Sequence, residues 1–396
     1  MLFRSNNVSL GNAGHLPVLD LRGQQSGSLN NIRQEFADGG GSNELSGIHN
    51  TTTSASLSLS VPVFNGFRAR TQYQRLGTLA EISELSTRMT VENLMAAIIA
   101  EYFNYIQQQR LLDNLKYAVE LSKERVRIDE ERFLLGSGSK LQLLQAEVFL
   151  NADSSRLGRQ YEMVRASRIR LAELMALDNL QLSFVPADSL IGLRPIMVYE
   201  PLRDASLRDN TALVMAARYT EISEYDQKLI SAQSYPYLNF SSGYGITHNT
   251  FQSGSLSHQQ TLGASYGLTL GINVFDGFNQ RRRLGNARIE SENRRLIYHE
   301  VEKGVEADLL TLYNAYLNNF RLLELEAQNL KVARETLDIA MERYRLGALS
   351  GIELREVQKS LLDAEERMLS IQYQTKLAEI SLLQISGKIQ DYTDLD

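Results

Sequence analysis

Cysteine is absent from all 396 residues. Its absence excludes disulfides, thiol catalysis, Cys-ligated zinc and a lipidated N-terminal cysteine, and leaves the redox compartment open. Proline is scarce: Pro17, Pro62, Pro186, Pro195, Pro201 and Pro236 are all there are, so 63–185 and 237–396 run without a helix breaker. No stretch nears the roughly 18 apolar residues of a membrane-spanning helix; the nearest is Leu94-Met95-Ala96-Ala97-Ile98-Ile99-Ala100. The opening MLFRSNNVSLGNAG has no apolar core of a secretory signal. Charge of one sign is also lacking: 41 Lys+Arg against 47 Asp+Glu leave −6, no basis for a nucleic-acid partner.

Catalytic chemistry is thin. The five histidines, His15, His49, His248, His258 and His299, make no H-E-x-x-H or other ligand spacing. Gly136-Ser137-Gly138-Ser139 has neither a following Gly-Lys-[Ser/Thr] nor a preceding strand, so it is no phosphate loop. No nucleophile and base are paired. The chain is expected to be no enzyme and to carry no cofactor or metal, and the charge run Asp129-Glu130-Glu131-Arg132 to lie on a helix exterior.

What is present is a repeat. Phe64-Asn65-Gly66-Phe67 recurs as Phe275-Asp276-Gly277-Phe278, an offset of 211 (275 − 64). The same offset carries Glu131-Arg132-Phe133 and Leu135-Gly136 onto Glu342-Arg343-Tyr344 and Leu346-Gly347. Register holds from 64 to about 176, which reads as an internal duplication.

Each copy opens on an alternating segment. Ala55, Leu57, Leu59, Val61 and Val63 oppose Ser54, Ser56, Ser58 and Ser60; Leu262, Ala264, Tyr266, Leu268, Leu270, Ile272 and Val274 oppose Gly263, Ser265, Gly267, Thr269, Gly271 and Asn273. Period two means strands with one apolar and one small polar face. Weaker partners, 16–21 and 235–240, precede them across polar loops at about 30–50 and 248–260. Helices then follow at about 66–135, 139–177, 209–234, 277–346 and 350–386, the stripe Val305, Leu309, Leu312, Tyr316, Phe320, Leu323 averaging 3.6 residues. At 1.5 Å per residue the longest reach about 100 Å. Gly136 to Ser139 and Gly347 to Ser350 read as tight turns between antiparallel helices.

Two readings of the strands stand open. They form small sheets packed on helices in a soluble or periplasmic coiled-coil scaffold without a pore, or they cross a membrane as a barrel, lipid-side apolar residues alternating with lumen-side small polar ones. Phe64, Phe67, Phe275 and Phe278, where strand meets helix, would then be interfacial aromatics. Four strands cannot close a barrel, so the second reading demands a homo-oligomer; a trimer supplies twelve.

The alternating strand running into F-x-G-F and a long helix, and the R-[FY]-x-x-G turns at Arg132 to Gly136 and Arg343 to Gly347, resemble the TolC-like outer-membrane efflux and secretion channels. Asn12-Ala13-Gly14-x-Leu16-Pro17 and Ala232-x-x-x-Pro236 look like that family's entry from helix to strand. The resemblance implies a mainly α fold with a β-barrel portion. Long antiparallel coiled-coil helices would form an α-barrel, and four transmembrane strands per chain would close into a 12-stranded barrel in a homotrimer. It further implies location in the outer membrane with extension into the periplasm, contact with outer-membrane lipid, and the role of passive exit duct in a tripartite efflux pump or type I secretion system. The implied partners are a periplasmic adaptor and an inner-membrane transporter. Residues 15–178 would be a first structural repeat, 179–208 an irregular equatorial connector, 209–387 a second repeat and 388–396 a C-terminal tail. Position by position, Glu353 and Glu356 match the family's acidic ring at the pore aperture, with Gln142 and Gln145 in the first repeat; Arg345 and Arg355 beside them could instead pair with these acids. Arg132, Gly136, Arg343 and Gly347 match the periplasmic tip and adaptor contact. The family also has a signal and a helix ahead of the first strand, and the sequence is expected to lack both.

Overall fold

The computed structural model describes residues 5–35 and 41–392. In order these form β1 (Val18–Glu35), β2 (Ser42–Asn65), α1 (Arg68–Leu134), α2 (Lys140–Leu174), α3 (Tyr199–Asp209), α4 (Thr211–Ala232), β3 (Tyr237–Thr250), β4 (His258–Gly271), α5 (Asn279–Arg345) and α6 (Gly351–Ile385). A 3-10 turn, Ile389–Tyr392, closes the described chain. The long helices α1 and α5 have 67 residues each and the shorter α2 and α6 have 35 each, both pairs lying at the 211-residue offset. None of these helices is long and apolar enough to cross a membrane.

The chain divides into two units. One comprises residues up to Glu84 with Ala216–Tyr298 and holds the sheet, antiparallel in the order β1-β2-β3-β4. Register fixes its two faces, because directly paired residues share a side. Leu19, Leu59, Ser242 and Tyr266 form one row, Leu21, Leu57, Tyr244 and Ala264 the next, and Gly23, Ala55, Ile246 and Leu262 a third. On the other face the rows read Asp20, Ser58, Gly243, Ser265 and Arg22, Ser56, Gly245, Gly263. The apolar face is bare, with Leu21 81% and Tyr266 86% exposed. Beneath the sheet in sequence, α4 is tied to α1 by Arg75–Asp226 at 2.7 Å and to α5 by Arg295–Glu224 at 3.1 Å.

The strands correct two expectations. Most of the loop expected at 30–50 is strand, since β1 and β2 pair up to Glu35 and Ser42 and outrun β3, whose last pair on β2 is Thr51 with Thr250. Residues 36–40 of that loop lie outside the described residues. The second loop is only 251–257, and β4 starts at His258 and stops at Gly271, so Ile272 and Val274 are not strand.

The second unit, Leu85–Met215 with His299 onward, is helical. One cluster gathers Phe103 and Ile106 of α1, Ile380 and Leu383 of α6, and Ile191 and Ile389; another joins Leu202 to Leu309, Tyr316 and Leu382. Here 179–208 departs from the irregular connector expected: Tyr199–Asp209 is helix, with Leu202 and Ala205 buried. Pro201 does not break this helix, because it sits in the first turn, where a missing N–H costs no helical bond. Nor is 388–396 a mere tail. Ile389 is fully buried and Arg194 donates to the Tyr392 carbonyl at 3.2 Å; 393–396 lie outside the described residues.

Candidate functional site

The two helix turns of the second unit are built alike. Gly136 and Gly347 adopt φ of +75° and +77°, a left-handed bend that glycine takes without a Cβ penalty. Ser137 N–H donates to the Arg132 carbonyl at 2.9 Å, and Ala348 N–H to that of Arg343 at 2.8 Å. The next helices start on serine: Ser139 and Gln142 cap α2, and Ser350 and Glu353 cap α6, each a reciprocal capping box. Glu353 accepts from Ser350 N–H at 2.9 Å and from its hydroxyl at 2.8 Å. Those bonds, the backbone one first, hold its carboxyl below the usual range. The charge therefore survives mild acid, and the cap's contribution is lost only as pH falls through that lowered value. Glu353 and Glu356 are both exposed.

Arg345 and Arg355 do not take up these acids. Arg345 pairs with Glu342 at 2.8 Å, and Arg355 turns inward to Asp153. The Arg355–Asp153 pair is bidentate, at 2.7 and 2.9 Å, with Asp153 fully buried and also accepting from Ser122 at 2.6 Å. The guanidinium carbons of Arg355 and Arg125 lie 5.0 and 4.9 Å from the Phe149 ring centroid. One polar core thus ties α1, α2 and α6 together.

A second tie reaches α5. Tyr344 donates its phenol hydrogen to Asp129, and Arg132 donates to the Tyr344 carbonyl while its guanidinium sits 4.8 Å over the Tyr344 ring. Asp129 is 4% exposed, against the expectation that its charge run lies on a helix exterior. Asp129 falls on the stripe that packs Ile128 against Leu337, Met341 and Leu354, whereas Glu130 and Glu131 point to solvent. Arg343 stays at its own turn, donating to the Ala348 carbonyl at 3.4 Å.

Burial first, then the Asp129 carboxylate, pushes the Tyr344 phenol up to about 12. An unfolded phenol titrates near 10. With the folded value raised, the stabilisation is complete below pH ~10 and is lost as pH climbs toward ~12. Tyr344→Phe is expected to flatten the decline of the melting midpoint between pH 10 and 12; an unchanged alkaline slope would contradict it.

In the first unit, Phe64 and Phe67 meet edge to face at 5.3 Å, as do Phe275 and Phe278 at 5.4 Å. Phe67 and Phe278 have φ of +66° and +62° and stay exposed. A bulky residue is held there against backbone preference with its ring outside the core. Asp153, Arg125 and Phe149 carry no signal in the sequence, and Arg355, expected beside Glu353 and Glu356, pairs with Asp153 instead. Among the described residues no group of three or more His, Asp or Glu is placed to hold a metal.

The profile of the outer membrane efflux protein family matches residues 4–177 and 202–388. Over 377 residues the chain is 23% identical to the pyoverdine export outer membrane protein OpmQ of Pseudomonas putida, covering 91% of this chain and 76% of that protein. The fold matches that of the outer membrane protein VceC of Vibrio cholerae with a TM-score of 0.79 and 15% identity, over 98% of this chain and 90% of that one. It matches the CmeC outer membrane channel of Campylobacter jejuni with a TM-score of 0.73 and 16% identity, over 98% and 81%. With both its strand pairs and all its long helices inside the family profile, the chain belongs to the outer membrane efflux protein family, and its place is the outer membrane as an efflux channel.

Proposed function

We propose that three copies assemble, β1 of one pairing with β4 of the next, into a barrel of twelve strands whose apolar face meets lipid and whose small polar face lines a water-filled duct. The carrying observation is the sheet itself: β1 and β4 each have one unpaired edge, and one face is a bare apolar surface. An open edge in hydrocarbon leaves backbone groups without partners, so closure needs further copies. A soluble scaffold gives that face nothing to cover it. From Leu270 to Leu262 the apolar rows on β4 span about 26 Å along the strand at 3.3 Å per residue, against an apolar band about 25 Å tall in outer-membrane barrels. The 211-residue correspondence supports reading each copy as two halves of one duplicated unit.

The duct is passive. It serves a tripartite efflux pump or type I secretion system, energy coming from an inner-membrane transporter joined through a periplasmic adaptor. The adaptor engages the turns at Arg132, Gly136, Arg343 and Gly347, and docking shifts the tip between two states. Because the chain has no cysteine, one introduced on β1 and one on β4 report only on each other. Oxidation should yield covalent trimers from the outer membrane; a detergent-independent monomer without inter-copy cross-links would overturn the reading.

At the narrow end, Glu353 and Glu356 of three copies give six carboxylates, a ring that favours cations. Glutamine at 353 keeps the α6 cap, as Gln142 does for α2, so the double variant Glu353→Gln, Glu356→Gln alters charge with the fold intact. The cation-to-anion permeability ratio in single-channel recordings is expected to fall several-fold toward unity. An unchanged ratio would remove these acids from the pore.

A further inference from the structure

Just past the apolar rows, toward the strand tips, the sheet changes chemistry on the same face. The row after Gly23, Ala55, Ile246 and Leu262 is Gln25, Thr53, His248 and Gln260, and the next is Gly27, Thr51, Thr250 and His258. His248 and His258 are diagonal neighbours across β3 and β4, their rings stacked at 5.7 Å and 21°. His49, opposite Leu29, leans back toward the apolar rows. Its Nε2 stands 3.3 Å from where a Cβ on Gly27 would be, so the space a side chain would fill holds the imidazole. Three of the five histidines in the chain thus gather on one face and one edge of the band, all exposed.

The band edge carries donors and no acid. Gln25, Thr53, Gln260, Thr51, Thr250 and the imidazoles all offer N–H or O–H groups. Charged groups on this face of the strands come only further out, where Arg33 lies 3.5 Å from Glu35 and 3.4 Å from Glu44, an arginine already matched. Asp20 and Arg22 fall on the opposite face. A phosphate arriving at these two rows meets donors and no carboxylate.

We infer that His49, His248 and His258 form, with the flanking glutamines and threonines, a docking rim for the phosphate-bearing headgroups of the surrounding lipid. The inference rests on the barrel reading, which sets the apolar rows against acyl chains and so places the next two rows at headgroup depth. Aromatic residues at membrane interfaces combine an apolar body with a polar tip. The stacked imidazoles of His248 and His258 offer such a body here, with His258 Nδ1 3.5 Å from the Thr250 hydroxyl on the neighbouring strand. The occupant is a lipid and not a free anion, because the donors continue an apolar wall that only an acyl chain covers.

The test compares the detergent-solubilised protein with a variant carrying His49→Ala, His248→Ala and His258→Ala, the three single variants, and His15→Ala as control. Melting midpoints are followed while dioctanoyl phosphatidylglycerol, dioctanoyl glycerol or inorganic phosphate is added. Phosphatidylglycerol should raise the wild-type midpoint, and the triple variant should need at least five-fold more lipid for the same rise. The single variants should show the loss in graded form, the His15 control none. Equal responses of wild type and variants, or an equal effect of dioctanoyl glycerol, would overturn the rim; an effect reproduced by inorganic phosphate would overturn the lipid as occupant. Conductance of the wild type in planar bilayers separates the two failures. A conducting channel with a histidine-independent lipid response refutes the rim alone, and no conductance refutes the barrel.

Discussion

Asp153→Ala is expected to destabilise the protein by about 3–5 kcal/mol, the cost of leaving one member of a buried ion pair without its partner. The magnitude follows from burial. Asp153 is 1% exposed and the Arg355 side chain 12%, and the carboxylate takes two short bonds from the guanidinium and one from Ser122. Removing it strands a desolvated cation and a buried hydroxyl together. Arg355→Met should cost about as much, because it strands the carboxylate. The double variant Asp153→Ala, Arg355→Met should cost clearly less than the two single losses added, since no charge is then orphaned. A chemical-denaturation cycle followed by helical signal measures the coupling. The exposed ion pair Arg127–Glu131, with side chains 56% and 58% exposed, supplies the contrast: solvent screens it, and its loss is expected to leave the denaturation midpoint nearly unchanged. Should Asp153→Ala behave like that surface pair, the polar core between α1, α2 and α6 would not hold the hairpins together.

That core also marks where sequence reasoning stopped. The helices were legible because almost nothing interrupts them: α1 and α5 run at 68–134 and 279–345, against expected bounds of 66–135 and 277–346, with Gly136 and Gly347 ending the paths. The paired faces of the sheet were legible wherever one face is apolar. From Ser28 to Glu35 the two apolar residues, Leu29 and Ile32, fall on opposite faces of β1 and the residues are almost all exposed, so no period-two signal survives and the segment reads as loop. Charge, by contrast, does not announce burial. In Asp129-Glu130-Glu131-Arg132 the first acid is buried and the next two are not, and only helical phase separates them. Asp129 lies one residue after Ile128 and four after Arg125, on the side facing Tyr344. The pairing of Asp153 with Arg355 joins residues 202 apart in sequence and leaves no local trace. The family resemblance singles out Glu353 and Glu356, while the capping role of Glu353 and the exposure of both come from geometry.

Gly66→Ala should be the most damaging single-methyl change in the first unit, and Gly277→Ala at the matching position should be mild. Both glycines have left-handed φ, +66° and +68°, so either alanine carries a backbone cost of about 1–2 kcal/mol. The surroundings differ. A Cβ on Gly66 would stand 2.5 Å from the Ala232 carbonyl oxygen and 2.9 Å from the Tyr235 Cβ, whereas one on Gly277 would meet only the Asn279 amide at 3.7 Å. The Ala232 carbonyl belongs to the end of α4, where Tyr235 N–H donates to it at 3.3 Å, so it cannot withdraw without loosening the entry to β3. Overpacking of this kind adds about 1–3 kcal/mol, which sets the two variants about 1–3 kcal/mol apart. Melting midpoints of the two purified variants measure the difference, and the yield of protein in the outer membrane gives the cellular readout. Equal losses would mean that the left-handed backbone alone governs both turns and that the packing of α4 against the F-N-G-F turn contributes nothing; a larger loss at Gly66 assigns the excess to the contact between the first turn and the end of α4, a constraint that the F-D-G-F turn does not share.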